Sequence, residues 1–314
     1  MRDRTKFIGG TDVSAILGAN KWRTEFTVWQ EKCGNGTPIP ENAPMEWGIR
    51  SEPMIAAKYC EMHDLMIATD VAQELLHPKY LCIGGTVDRW LVDSTGKLYG
   101  LEIKTAQSDA DWTATEVPMH YWMQCQWYNG IAKACGYDVD EWHLAVLFRG
   151  VEYREYTIPF DAQWFDETLG YCIGWWSTHV VDGSPVSLDG SDAARAFQRQ
   201  KFEAKESALV LASDTLPMVD RDLITHYLHL KKQTIMNDIT LSTMETQIMG
   251  IIGENKGVSD ASGATITWVR SKPSKSIAWS EVAKAANASE ELIGKFTKEK
   301  AGSSYLKISG LEQE

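Results

Sequence analysis

The chain has 314 residues, enough to bury a full core in one or two domains, and its 43 acidic and 31 basic residues give a formal net charge of −12. No run of about 18 apolar residues suggests a membrane span, and MRDRTKFIGG lacks the apolar core of a signal peptide, so a cytoplasmic protein without a membrane role is expected. Cys33, Cys60, Cys82, Cys125, Cys135 and Cys172 form no CxxC or zinc-ligand spacing, and the histidines form no HxxxH or HExxH; buried reduced thiols and packing histidines are expected.

Residues 10–32 read as helical, with Thr11 able to cap and Val13, Ile16 and Leu17 at helical spacing. CGNGTPIPENAP (33–44) is a loop. Residues 45–63 read as a helix interrupted at Pro53, which would set Glu52 at a bend. Residues 70–105 read as strands, Pro118 opens a helix that Gly136 closes, and 141–158 alternate as strands around Gly150. An aromatic helix follows at 162–180. VDGSPVSLDGSDAA (181–194) is the best domain boundary, separating a domain at 1–185 from an extension at 195–314. The extension reads as two long helices, 195–211 and 219–252, in an antiparallel hairpin, then strands at 263–271 and 303–309 around a charged helical stretch from Glu281 to Glu299. Helices before and after a central sheet make the first domain α/β.

The most informative segment is 84–104, GGTVDRWLV–DSTGK–LYGLEIK. It reads as two strands around Ser94-Thr95-Gly96. A hairpin symmetric about Thr95 pairs residues whose numbers sum to 190, so Asp88 faces Glu102 and Gly100 faces Trp90, leaving room for the indole. Period-two alternation puts Asp88, Trp90, Glu102 and Lys104 on one face. Opposed carboxylates repel, and a divalent cation between them would remove the penalty. Hard oxygen ligands suit Mg²⁺. On its own the spacing also fits a solvated hairpin face.

The strand pattern resembles the PD-(D/E)xK nuclease core. RTKFIGGTDVSAILG (4–18), WGIRSE (47–52) and YWMQCQWY (121–128) extend the likeness. In this order the segments resemble the YqaJ-like phage recombinase nucleases, the family that includes lambda exonuclease, over roughly residues 4–180. The resemblance implies a restriction-endonuclease-like core, a central mixed sheet flanked by helices. It implies that Glu52, Asp88 and Glu102, completed by the carbonyl of Ile103, bind Mg²⁺, with Mn²⁺ able to substitute. Lys104 would help activate the attacking water, and Gln126 would stand near the site, with Gln124 about 200° round the helix. Arg4 and Thr11 would hold a terminal 5′-phosphate; Thr11 stands where a serine is usual.

The implied activity is 5′→3′ digestion of double-stranded DNA from its ends, leaving 3′ single strands for a single-strand annealing protein. A homo-trimer or other ring oligomer belongs to the same expectation. An endonuclease of the same fold and a non-catalytic DNA-binding or assembly protein are the competing readings. Charge is a tension: residues 1–188 carry 26 acidic and 15 basic side chains, whereas phosphate contact needs basic surface. Either a local basic channel admits DNA into an acidic body, or the protein does not bind DNA. In the extension, Arg270, Lys272, Lys275, Trp268 and Trp279 mix basic and aromatic groups that fit a DNA grip or a solvated hairpin.

Overall fold

The computed structural model describes residues 3–36, 42–201, 213–259, 264–267, 269, 279, 282–283 and 286–297. Two compact units divide the chain, Met1–Lys201 and Phe202–Glu314.

In the first unit, α1 (Gly10–Ile16), α2 (Glu25–Lys32) and α3 (Ala43–His63) precede the strands. β1 (Met66–Ile67), β2 (Glu74–Leu76), β3 (Gly84–Thr86), β4 (Arg89–Val92) and β5 (Leu98–Ala106) follow, then α4 (Met119–Ala134), β6 (Glu141–Phe148), β7 (Glu152–Pro159), α5 (Ala162–Trp175) and α6 (Asp192–Lys201). A five-stranded sheet has the order β1-β4-β5-β6-β7. Only β5 and β6 run parallel; the other neighbours are antiparallel. A parallel pair needs a crossover, and α4 supplies it. β6 is buried along nearly its whole length, because helices cover both faces. On one face Trp90, Trp142 and Leu144 join Val13 of α1 and Trp127 and Ile131 of α4 in the main core. On the other, Leu91, Leu101, Ile103 and Ala145 pack under Ile55, Ala56 and Tyr59 of α3. The result is a mixed sheet between helical layers, the arrangement expected from the sequence.

Several expectations need correction. The β4–β5 pairs, Arg89 with Leu101 and Trp90 with Gly100, have the expected register. The space at Gly100, however, is taken by Trp142 of the parallel neighbour: a Cβ there would lie 2.3 Å from that indole. Helix α3 continues through Pro53. Thr11 lies inside the first turn of α1 and does not cap it; Asp12 Oδ2 accepts from the N–H of Gly9 at 2.9 Å. The boundary falls later than 185/195, because α6 belongs to the first unit, where Phe197 packs on Phe26 and Trp29 of α2 with centroids 5.6 and 6.0 Å apart. Of the first helix expected in the hairpin, residues 202–211 lie outside the described residues. Cys125 and Cys172 are buried, whereas Cys135 is exposed.

The second unit contains α7 (Met218–Ile252), the antiparallel pair β8 (Gly257–Ser259) and β9 (Thr265–Thr267), and α8 (Glu290–Phe296). Trp268, Arg270, Lys272, Lys275 and the strand expected at 303–309 lie outside the described residues. No helix among the described residues is long and apolar enough to cross a membrane.

Candidate functional site

The site forms where β4 begins and β5 runs beneath α4. Asp88 immediately precedes β4, and its Oδ2 accepts from the N–H of Ile103 at 2.8 Å. This tie holds the aspartate against the strand that carries Glu102. Glu102 is 1 % exposed. Its Oε1 accepts from Gln124 Nε2 of α4 at 2.7 Å and from the Lys104 ammonium. Glu102 and Lys104 meet because residues two apart on a strand share a face. The Lys104 ammonium also lies 5.3 Å from the ring centroid of Tyr121. Glu52, on α3, completes the group, with Arg89 3.7 Å away.

The electrostatics are those of crowded carboxylates. Burial pushes the Glu102 carboxyl well above its ordinary range and Asp88 pushes it further, against the pull of Lys104. Burial and Asp88 likewise raise Glu52, opposed by Arg89 and Lys104. Burial would lower the Lys104 ammonium, but Glu102 and Asp88 outweigh it and hold the lysine charged. Burial leads both carboxyl shifts and the neighbouring carboxylates add to them, so an added cation would favour the ionised forms of Glu52 and Glu102.

The donor set fits a hard divalent cation. Glu102 Oε2 is buried without a hydrogen-bond partner, and an orphaned buried carboxylate oxygen is costly unless a cation or proton meets it. Among the described residues no three His, Cys, Asp or Glu side chains already converge as a metal-binding cluster. Each carboxylate is instead drawn to its own protein partner: Asp88 to Ile103, Glu102 to Lys104 and Gln124, Glu52 to Arg89.

Gln124, and not Gln126 as expected, is the glutamine that meets Glu102. Gln126 points away from the site: its Nε2 donates to the carbonyl of Pro159 at 2.7 Å, and its Oε1 accepts from the N–H of Asp161 at 2.8 Å. It fastens the β7–α5 connection to α4. Gln124 is the site residue, bonded to Glu102 and, through the same Nε2, to the Tyr128 hydroxyl at 3.0 Å. The i, i+4 relation of Gln124 and Tyr128 is the sequence signal that finds this face. Gly10 lets α1 settle on it, because a Cβ there would stand 2.8 Å from Cγ of Gln124 and 3.0 Å from the Tyr128 ring.

Arg4 is exposed in the 3₁₀ turn Arg4–Lys6, ahead of α1 and half-buried Thr11. Sequence reasoning missed the ion network that fixes this segment. Lys32 is buried, and its ammonium lies 2.7 Å from Asp12 Oδ2 and donates to the carbonyl of Arg4 at 2.7 Å. Arg23 bridges Asp12 at 2.7 Å and Glu31 at 2.6 Å. Burial alone would raise the Asp12 carboxyl, but Lys32 and Arg23 outweigh it and hold it below the usual range.

Residues 1–134 match the YqaJ-like viral recombinase domain. The protein YqaJ of Bacillus subtilis (strain 168) is 30 % identical over 250 residues, which cover 78 % of this chain and 75 % of that one. Among solved structures, the alkaline exonuclease LHK-Exo from Laribacter hongkongensis superposes with a TM-score of 0.44 at 15 % identity, over 63 % of this chain and 94 % of its own. Its complex with dAMP gives a TM-score of 0.45 at 15 % identity over the same shares. On the strength of the two sequence matches, the chain belongs to the YqaJ-like viral recombinase family.

Proposed function

We propose that this protein is a Mg²⁺-dependent deoxyribonuclease that degrades linear duplex DNA 5′→3′ and leaves 3′ single strands. The observation that carries the reading is Glu102: a carboxylate 1 % exposed, held by Lys104 and Gln124, with Oε2 unpartnered. Glu52, Asp88 and Glu102, with the carbonyl of Ile103, would hold the metal. Bound there, divalent metal would polarise the phosphodiester and lower the pKa of a hydrolytic water. The chain's own groups do the rest. Gln124 and Lys104 fix the Glu102 carboxylate. Lys104, held charged by its carboxylate neighbours, would stabilise the negative charge that gathers on the oxygens of the pentacoordinate phosphorus. The N–H of Ile103 keeps Asp88 facing the site.

Arg4 and Thr11 are assigned to a terminal 5′-phosphate, which carries more charge than an internal diester and suits a guanidinium fork. A single-strand annealing protein would receive the product strand, and a ring-shaped homo-oligomer would keep the enzyme on its substrate. A cavity of about 450 Å³ lined by Val117, Met119, Trp122 and Ile158 includes none of Glu52, Asp88, Glu102 and Lys104 and is not assigned to the reaction. The test is digestion of end-labelled linear duplex with and without Mg²⁺, comparing 5′-phosphate with 5′-hydroxyl ends and with substrates blocked at both ends. Metal-dependent release from the 5′ end is expected. Cutting of the doubly blocked duplex would make the enzyme an endonuclease, and no cutting in any metal would remove the catalytic reading.

A further inference from the structure

Beside the carboxylate–lysine centre, the connection between α1 and α2 holds an indole out in solvent. Trp22 is 68 % exposed, yet its backbone is fixed on both sides. Asn20 Oδ1 accepts from the N–H groups of Trp22 and Arg23 at 2.9 and 3.0 Å, and Asn20 Nδ2 donates to Ser14 Oγ of α1 at 3.0 Å. Arg23, the next residue, is tied into the buried Asp12 network. The indole is thus held in place without being buried, and its outer face is open to a planar partner.

What stands behind the indole connects it to the site. Trp22 meets the His120 ring edge-on, centroids 5.2 Å apart; His120 packs on Tyr121 at 4.0 Å; and the Lys104 ammonium lies 5.3 Å from the Tyr121 centroid. A chain of aromatic contacts thus runs from Trp22 to the lysine that holds Glu102. His120 is 5 % exposed and its Nε2 has no hydrogen-bond partner. Burial, then Lys21 and Lys104, push its pKa down to about 4, so it is a neutral ring at physiological pH. Lys21 stands next to the indole, its ammonium 5.8 Å from the ring centroid, and pairs with Asp111. Both members of that pair are about half exposed, so a phosphate can compete for the lysine at small cost.

Aromatic platforms interleaved with cations are how proteins hold unpaired nucleotides, the ring taking the base and the cation the backbone. We propose that Trp22 is a stacking platform for a nucleobase of the DNA strand engaged at the Glu102–Lys104 centre, with Lys21 taking a neighbouring phosphate. This assignment rests on the DNA-cleaving reading of that centre. It gives Trp22 a positioning role: a base held on the indole fixes the strand's register relative to Lys104.

The test separates binding from cleavage. Anisotropy of a short fluorescein-labelled single strand, in Ca²⁺ buffer, is measured with the full chain and with Trp22→Ala, Trp22→Leu and Trp22→Phe. The expected loss is about tenfold in affinity for Ala and Leu, with Phe retaining most of it, as base–aromatic stacking dictates. A single abasic position walked along the strand should weaken the wild type at one register and leave Trp22→Ala unaffected there. Melting curves should move little, since most of the indole is exposed and only its edge contact with His120 is lost. Affinity of Trp22→Ala within about twofold of wild type, an equal loss on every abasic strand, or no binding by the wild type would overturn the platform. Trp22-dependent binding without cleavage of labelled duplex would overturn the nuclease reading and keep the platform. Cleavage with Trp22-independent binding would do the reverse.

Discussion

Gln124→Met and Gln126→Met, made as a pair, discriminate the site described here from the one expected at the sequence level. Methionine keeps the length of the side chain, and in Gln124 it keeps the stem that lies against Gly10. It removes the 2.7 Å donor to Glu102 and the 3.0 Å donor to Tyr128. A hydrogen bond to a buried charge contributes roughly 1.5–3 kcal/mol. At 1.36 kcal/mol per tenfold, a loss felt in the transition state lowers kcat about 10- to 100-fold. The ionised Glu102 also loses a stabilising partner, so its already raised pKa rises further. The acid limb of the pH–rate profile should move to higher pH, with part of the rate recovered there. Gln126→Met instead frees the Pro159 carbonyl and the Asp161 N–H. That costs about 1–3 kcal/mol of stability per group left unsatisfied and leaves kcat and its pH profile unchanged in the folded fraction. The assay is single-turnover digestion of labelled duplex across pH, beside thermal melts of both proteins. A Gln126 variant inactive at wild-type stability, with an active Gln124 variant, would refute the reasoning.

Other outcomes follow from the same geometry. Lys104→Ala should leave affinity for duplex DNA nearly intact and lower the single-turnover rate by about 10²–10³-fold; a loss of affinity alone would make Lys104 a phosphate contact. In EDTA, a Glu102 carboxyl raised in the folded state binds a proton that the unfolded chain has released, so stability falls as pH climbs from the ordinary carboxylate range through the raised value. Glu102→Gln should flatten that fall and Mg²⁺ should reverse it in the wild type, as pH-resolved melts would detect. Asp12→Ala removes the nearer carboxylate from buried Lys32, leaving only Glu31 at 3.3 Å, and should cost up to about 3–5 kcal/mol in denaturant unfolding; a change within about 0.5 kcal/mol would mean the network is dispensable. Wild type should degrade 5′-phosphorylated duplex faster than 5′-hydroxyl duplex, and Arg4→Ala should erase the difference; equal wild-type rates would remove Arg4 and Thr11 from the site.

The chain by itself determined what local rules control. Turn residues at 93–96 and strand alternation set the β4–β5 register, so the approach of Asp88 to Glu102 and the pairing of Trp90 with Gly100 were legible in the sequence. Pro118 and Gly136 marked α4, and the turn at Gly150 marked the β6–β7 hairpin. The order of motifs at Glu52, Asp88, Glu102 and Lys104 was enough to suggest the family. Only the tertiary structure decided contacts between elements distant in sequence. The family likeness pointed to Gln126, whereas the packing of α4 between α1 and the sheet puts Gln124 on Glu102 and beside Gly10. Gly100 makes room for Trp142 and not Trp90 because the neighbour across the parallel ladder lies 42 residues on. The end of the first unit moved to Lys201 because Phe197 found Phe26 and Trp29, a contact that no local propensity encodes. The Asp12–Lys32 pair was hidden for the same reason: a buried charge is recognisable only once its partner has been brought to it.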